Sequence, residues 1–139
     1  MSLLVRREHS RVELLGKLTR RGFDAAACEG VLDALVEENA LSDERFAELY
    51  VNYRRERGFG PQRIGEELRK RGVSDALREA YCQAGDTDWT LRARALRARR
   101  FGEPAPDEYR ERARQGRFLS QRGFTAAQVS AALGASFDD

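Results

Sequence analysis

Apolar residues recur every three to four positions along most of this chain, which is the period of an α-helix with one buried face. After Ser42, for example, Phe46, Leu49, Tyr50 and Tyr53 fall on one side of a predicted helix, with polar and charged residues between them. No segment alternates apolar and polar residues for long enough to form a strand. The pattern therefore predicts an all-α protein.

A seven-residue motif recurs three times and divides this helical pattern into units. It reads Leu, two variable residues, Arg, Gly, an apolar residue and a helix-capping residue, and its glycines are Gly22, Gly72 and Gly123, spaced by 50 and 51 residues. In each copy we expect the Leu to end an apolar face, the Arg to face the negative helix end and the Gly to take a left-handed turn. The next helix should then begin at once, capped in the three copies by Asp24, Ser74 and Thr125.

A further helix is predicted to link one pair of helices to the next. One linking helix begins at the cap Ser42 and stops at Gly58-Phe59-Gly60-Pro61. The other begins near Trp89, expected to be a core anchor, and ends before Asp107, which we expect to cap another helix. At the front of the chain only residues 3–7 precede the cap Ser10, so the linking helix there would be a stub.

The units predicted from this arrangement are tandem three-helix repeats. They are a first repeat over residues 1–40, truncated at its N-terminus, a second over residues 41–85 and a third over residues 86–139. We expect them to form an elongated, curved array, since helical repeats stack on their neighbours and expose a long surface. Such surfaces usually bind a partner.

Composition narrows the classes of protein that this chain can be. Its 139 residues are 41% hydrophobic and 35% charged, which is typical of a soluble helical protein the size of one ordinary domain and excludes a large two-domain enzyme. No apolar stretch is long enough to span a bilayer or to form a secretory signal. We therefore expect a cytoplasmic protein.

Residue types that catalyse reactions or hold metals are sparse and scattered. Cys28 and Cys82 form no CxxC pair and have no histidine nearby, so both are expected to be small buried residues. His9, the only histidine, stands beside the cap Ser10 and is expected to pack on the first helical turn. The sequence thus predicts a non-enzymatic monomer without a metal, a cofactor or a catalytic residue.

Basic residues are the remaining candidates for function. The net charge is only +2, but it is unevenly distributed, since residues 91–139 hold ten arginines and six acidic residues, and arginines gather in several runs along the chain. On a helical wheel Leu91, Ala95 and Ala98 share one face, and three arginines step along the opposite face, which we expect to be exposed. The candidate partner-binding residues are Arg54, Arg57, Lys70, Arg71, Arg94, Arg97 and Arg100. An ordinary solvated surface is the alternative for each run.

The central motifs resemble those of a known family. Leu41-Ser42-Asp43-Glu44-Arg45-Phe46-Ala47, Gly58-Phe59-Gly60-Pro61 and Lys70-Arg71-Gly72-Val73 are similar to the signature of the RecX regulatory proteins, and the likeness covers nearly the whole chain. The family usually has a longer first helix than this chain. The resemblance implies a fold of tandem three-helix repeats and no catalytic residues. It also implies binding in the groove of the RecA–DNA filament, with inhibition of strand exchange, ATP hydrolysis and co-protease function.

Two functions are therefore weighed for this chain. The first is a regulator that binds a RecA filament and bridges its protomers. The second is a module that binds single- or double-stranded DNA directly, with arginines neutralising phosphates. Affinity for bare DNA at moderate salt separates them, because only the second requires tight binding. An enzyme would need a pocket with convergent polar groups, for which the sequence offers no candidate.

Overall fold

The computed structural model describes residues 8–134, and within this range every regular element is a helix, which confirms the all-α prediction. The described helices are α1 (Arg11–Arg20), α2 (Ala25–Glu37), α3 (Asp43–Glu56), α4 (Pro61–Lys70), α5 (Asp75–Cys82), α6 (Thr87–Phe101), α7 (Tyr109–Gln121) and α8 (Ala126–Leu133). The stub predicted over residues 3–7 lies outside the described residues.

Side-chain caps set most of the helix starts where the sequence placed them. Ser10 and Glu13 form a reciprocal capping box at the start of α1, and Thr125 caps α8 in the same way. Asp24 accepts a hydrogen bond from the Ala27 amide and caps α2. The prediction for Asp107 was wrong: Glu108 is the N-cap of α7 and makes no side-chain capping bond. The helix begins at Tyr109, so Asp107 stands one residue before the N-cap position.

The three motif glycines adopt the backbone conformation that the repeat required. Gly22, Gly72 and Gly123 have φ angles of 94°, 80° and 103°, a region that residues with a side chain rarely occupy. Two of them are also confined by neighbours. A Cβ atom on Gly72 would lie 2.2 Å from Cγ2 of Val12, and one on Gly123 would lie 2.3 Å from Cβ of Arg63. These two glycines therefore provide both the turn and the space for a neighbouring helix.

The described residues fall into two compact units, which we describe separately. The first contains residues 8–52 and 67–81. Helix α1 packs on α2 around Leu14, Leu32 and Leu41, which are all buried. His9 is also buried, and its Nε2 lies 2.9 Å from Nζ of Lys17. This unit thus combines the first repeat with the beginning and the end of the second.

The second unit contains residues 53–66 and 82–134, and α6 packs in it against α7 and α8. Trp89, Leu119 and Phe124 are buried in its core, so the expectation for Trp89 is confirmed. The indole Nε1 of Trp89 donates a 2.7 Å hydrogen bond to the carbonyl of Cys82. Both cysteines are free and buried, as predicted.

None of the helices among residues 8–134 has the length and apolar character needed to cross a membrane. The same residues contain no group of three or more His, Cys, Asp or Glu side chains arranged to hold a metal ion.

Candidate functional site

Helix α6 buries a different face from the one that the sequence suggested. Its buried residues are Trp89, Ala93, Leu96 and Arg97, whereas Leu91 is 58% exposed. The prediction that Leu91, Ala95 and Ala98 mark the inner face was therefore wrong. The physical reason is size, because Trp89 and Leu96 bury far more apolar surface than two alanines can.

Arg97 is consequently not part of an exposed arc, and that prediction was also wrong. The side chain is only 5% exposed. Its guanidinium donates hydrogen bonds of 3.0 Å to the carbonyl of Glu103, 3.3 Å to that of Pro104 and 3.2 Å to Oε1 of Gln115. Burying a charge is costly unless its donors are satisfied, and these three acceptors meet that need. Arg97 thus ties the loop after α6 to α7.

Arg94 and Arg100 do lie on the exposed side of α6. Arg94 donates from Nε to the carbonyl of Ala131 near the end of α8, at 3.3 Å. Arg100 places its guanidinium 4.5 Å from the ring centre of Phe118, a cation–π contact. Both remain candidates for binding a partner.

The candidates at the end of α3 contact aromatic rings. Arg54 lies 3.8 Å from the ring centre of Phe59, and Arg57 lies 4.4 Å from that of Tyr53. Arg57 is exposed and Arg54 is partly buried. The flat guanidinium group of arginine suits such stacking on an aromatic ring.

The remaining two candidates, Lys70 and Arg71, belong to the first unit. Lys70 is exposed, but Arg71 is held in place by several partners. Its Nε lies 3.4 Å from Oε2 of Glu13, Nη1 donates to the carbonyl of Glu67 and the guanidinium stacks on Tyr50. Arg71 is therefore largely engaged within the unit.

The structure also shows an arginine cluster that the sequence analysis missed. We define the Phe59 cluster as the ring of Phe59 and the three guanidinium groups over it: Arg54 at 3.8 Å, Arg122 at 4.3 Å and Arg63 at 4.5 Å from the ring centre. These distances place any two of the charges within about 9 Å of each other. At that separation like charges repel by about 2 kcal/mol at an effective dielectric constant of 20, before salt screens them.

The environment of Arg122, one member of this cluster, shifts its pKa. Burial lowers the pKa of its guanidinium below the ordinary value. Neighbouring positive charges lower that pKa further, in the order Arg63, Arg100, Arg54 and Arg99. Its Nη2 donates to the carbonyl of Arg57, while its buried Nε has no hydrogen-bond partner among the described residues.

A comparison of the repeats in register could have found this cluster. Arg63 stands 50 residues after Glu13, and Arg122 stands 51 residues after Arg71. The oppositely charged pair of the first unit thus corresponds to two arginines in the second. The sequence contains this correspondence between positions, but only the docking of the turns shows that Arg63 and Arg122 meet.

Comparison with protein families finds three domain models that match this chain in order. Residues 1–35 match the family description "RecX, first three-helix domain", residues 42–81 match the second three-helix domain and residues 90–133 match the third. A crystal structure of RecX from Lactobacillus salivarius aligns with a TM-score of 0.80 at 20% identity, covering 95% of this chain and 88% of that one. At that identity the structural match supports the fold alone.

Curated relatives are similar over almost the full length. One from Halorhodospira halophila is 50% identical over 139 residues, which is all of this chain and 86% of the relative. One from Pseudomonas savastanoi pv. phaseolicola is 45% identical over 133 residues, which is 96% of this chain and 86% of the relative. Both are named regulatory protein RecX. With three matching domains in order and relatives this similar, the chain belongs to the RecX family of regulatory proteins.

Proposed function

We propose that this protein binds the filament that a RecA-type recombinase forms on DNA and inhibits its recombinase, ATPase and co-protease activities. The observation that carries the proposal is the match of three successive RecX domains across residues 1–133. Regulation by binding needs no catalytic group of its own. The protein would act as a monomer in the cytoplasm, where it would meet the recombinase on DNA.

The exposed basic residues of both units are the proposed contacts with the filament. Arg57, Lys70, Arg94 and Arg100 are exposed and present positive charge. Arg54 is half-buried but keeps its guanidinium against Phe59. Exposed charges of this kind speed the encounter with a binding partner and fix its alignment more than they add to the affinity. Arg97 is not among the proposed contacts, because its guanidinium donates to the loop after α6. Arg71 is not among them either, because it forms an ion pair with Glu13.

The proposal is tested by ATP hydrolysis of a RecA-type recombinase on single-stranded DNA, with this protein titrated from well below one molecule per recombinase. We expect hydrolysis to fall at substoichiometric amounts, because a bound regulator affects neighbouring protomers. Unchanged hydrolysis at equimolar protein would contradict the proposal.

Two double variants locate the surface within the same assay. Arg57→Glu with Arg94→Glu reverses two candidate contacts and should weaken inhibition while leaving the helical circular dichroism unchanged. Arg110→Glu with Arg117→Glu makes the same change of charge at two exposed positions of α7 outside the candidate set. Equal inhibition by both double variants would remove Arg57 and Arg94 from the proposed surface.

Direct binding to DNA is the second candidate, and the Phe59 cluster is the observation that favours it. Several guanidinium groups close together suit a polyanion. Binding of labelled single- and double-stranded oligonucleotides at moderate salt separates the two functions. Tight binding to bare DNA, with no effect on recombinase hydrolysis beyond competition for DNA, would favour this second function.

A further inference from the structure

Two junctions between repeats share one plan, in which the start of a helix donates a hydrogen bond to the carbonyl of an arginine in an Arg-Gly turn. In the first, which lies in the first unit, Ser10 Oγ at the start of α1 donates to the carbonyl of Arg71, at 2.7 Å. In the second, which lies in the second unit, the Gly60 amide at the start of α4 donates to the carbonyl of Arg122, at 2.8 Å. Each time a helix start docks on the Arg-Gly turn of the following repeat.

The two junctions differ in the charges of the side chains that face each other. Glu13 in α1 faces Arg71 across the first junction and forms an ion pair with it. At the corresponding position in α4 stands Arg63, which faces Arg122 across the second junction, and both guanidinium groups lie over Phe59. The second junction therefore places two guanidinium groups where the first pairs a guanidinium with a carboxylate.

Further arginines extend this positive surface. Arg100 places its guanidinium over Phe118, and Arg122 also reaches that ring, at 4.5 and 5.6 Å from its centre. Arg99 is exposed on the same helix as Arg100, and its charge is near enough to Arg122 to lower the pKa of that guanidinium. No carboxylate of residues 8–134 forms an ion pair with Arg99, Arg100 or Arg122. The aromatic rings compensate part of this charge, since their faces attract cations, but they supply no hydrogen-bond acceptor to the guanidinium edges.

We propose that the second junction is a phosphate-binding site, in which Arg63, Arg99, Arg100 and Arg122 surround one phosphate group beside the ring of Phe59. A phosphate carries its charge on several oxygens that point in different directions, so it accepts from several guanidinium forks at once. A single planar carboxylate offers fewer such directions. The buried Nε of Arg122, which lacks a hydrogen-bond partner among the described residues, is a donor that a small local adjustment could offer to this anion.

This inference does not rest on the proposed function, because binding is measured without a recombinase. The probe is inorganic pyrophosphate, titrated into the full chain by isothermal calorimetry and compared with sodium chloride at the same ionic strength. We expect saturable binding of one pyrophosphate per chain. Heat no larger than that of the chloride titration would overturn the proposal.

Variants matched between the two junctions assign the site. Arg63→Gln removes an exposed guanidinium and should weaken pyrophosphate binding about tenfold, the loss expected for one charge-assisted contact. Arg122→Gln should do the same, and circular dichroism checks that it folds. Arg71→Gln makes the same chemical change at the first junction and should leave the affinity within about twofold. Unchanged affinity in Arg63→Gln, or an equal loss in Arg71→Gln, would contradict the assignment.

A competition arm identifies the source of the phosphate. A short single-stranded oligonucleotide is added to the pyrophosphate titration in the wild type and in Arg63→Gln. Competition that is lost in Arg63→Gln supports the site and identifies its ligand as a nucleic-acid backbone. Pyrophosphate binding without competition supports the site and identifies its ligand as a small free phosphate. Competition that is equally strong in Arg63→Gln would show that the oligonucleotide binds without the help of Arg63 and overturn the backbone assignment.

Discussion

The two junctions between repeats show what the repeat preserves and what it leaves free to diverge. In both, the start of a helix donates to the carbonyl of the arginine in an Arg-Gly turn, and the glycine leaves space for a neighbouring side chain. The facing side chains differ: Glu13 meets Arg71, whereas Arg63 meets Arg122. Backbone docking thus fixes the architecture, while the charge at the same position can serve stability in one junction and binding in the other.

The largest expected effect comes from filling the space at either junction. Gly72→Ala and Gly123→Ala should each lower the free energy of unfolding by about 2 to 4 kcal/mol, through a strained backbone and a clash with the neighbouring helix. Gly22→Ala is the matched control, because Gly22 also has a positive φ but a Cβ there would meet nothing within 4 Å. It should cost only about 1 kcal/mol. Urea unfolding measures all three, and equal losses would show that the junctions are not tightly docked.

A smaller loss is expected when the buried arginine of the second unit is replaced. Arg97→Met keeps much of the stem but leaves the carbonyls of Glu103 and Pro104 without their donor, so we expect a loss of about 2 kcal/mol. Arg94→Met, on the exposed face, should change stability by less than about 0.5 kcal/mol. Thermal unfolding of the two variants checks this. A loss in Arg94→Met as large as that in Arg97→Met would contradict the buried face assigned to α6.

Reversing one charge should make the second junction resemble the first. Arg63→Glu places a carboxylate where Glu13 stands in α1, and we expect it to raise the free energy of unfolding by about 1 kcal/mol. The cause is the replacement of repulsion from Arg122 by attraction. Arg117→Glu, an equal change of charge at an exposed position of α7, controls for net charge. The opposite result would be a lower free energy of unfolding in Arg63→Glu and an unchanged one in Arg117→Glu. It would show that the cluster is held together by something other than its aromatic rings.

The smallest effect concerns acid stability in the second unit. Hydrogen bonding from Arg92, followed by that from Arg55, lowers the pKa of Asp88 below its ordinary value of 3.8. A lowered pKa in the folded state means that the contribution is present above the ordinary pKa and is lost as the pH falls through the folded one. Unfolding measured from pH 6 downward should therefore show a shallower acid decline in Asp88→Asn than in the wild type. Identical declines would show that the contacts of Asp88 with these arginines contribute nothing measurable to stability.

Features that depend on a few adjacent residues were predictable from the sequence. The turns at Gly22, Gly72 and Gly123 and the caps Ser10, Asp24 and Thr125 each follow from local backbone chemistry, and the structure has them. Even the buried face of α6 was accessible, since Trp89, Ala93 and Arg97 are spaced by four. It was missed because an arginine was assumed to be exposed, although its long stem can be buried when carbonyls receive its donors.

The candidate site depended on contacts that no local pattern contains. Arg63 and Arg122 lie far apart in sequence and meet only because the start of α4 docks on the turn after α7. The motif arginine was interpreted as a residue facing its own helix end. Its side chain at position 122 instead reaches Phe59, in the turn between α3 and α4, and Phe118, in α7. Tertiary docking therefore decided the chemistry of a position whose backbone role was already clear.

The central difference between the junctions is that an acidic and a basic residue face each other in the first and two basic residues in the second. A pair of double-mutant cycles in the free energy of unfolding tests this most directly. One cycle combines Glu13→Gln with Arg71→Gln, and glutamine at position 13 keeps the capping box. The other combines Arg63→Gln with Arg122→Gln. We expect coupling energies of opposite sign, attractive between Glu13 and Arg71 and repulsive between Arg63 and Arg122. An attractive coupling, or none, between Arg63 and Arg122 at low salt would contradict the account.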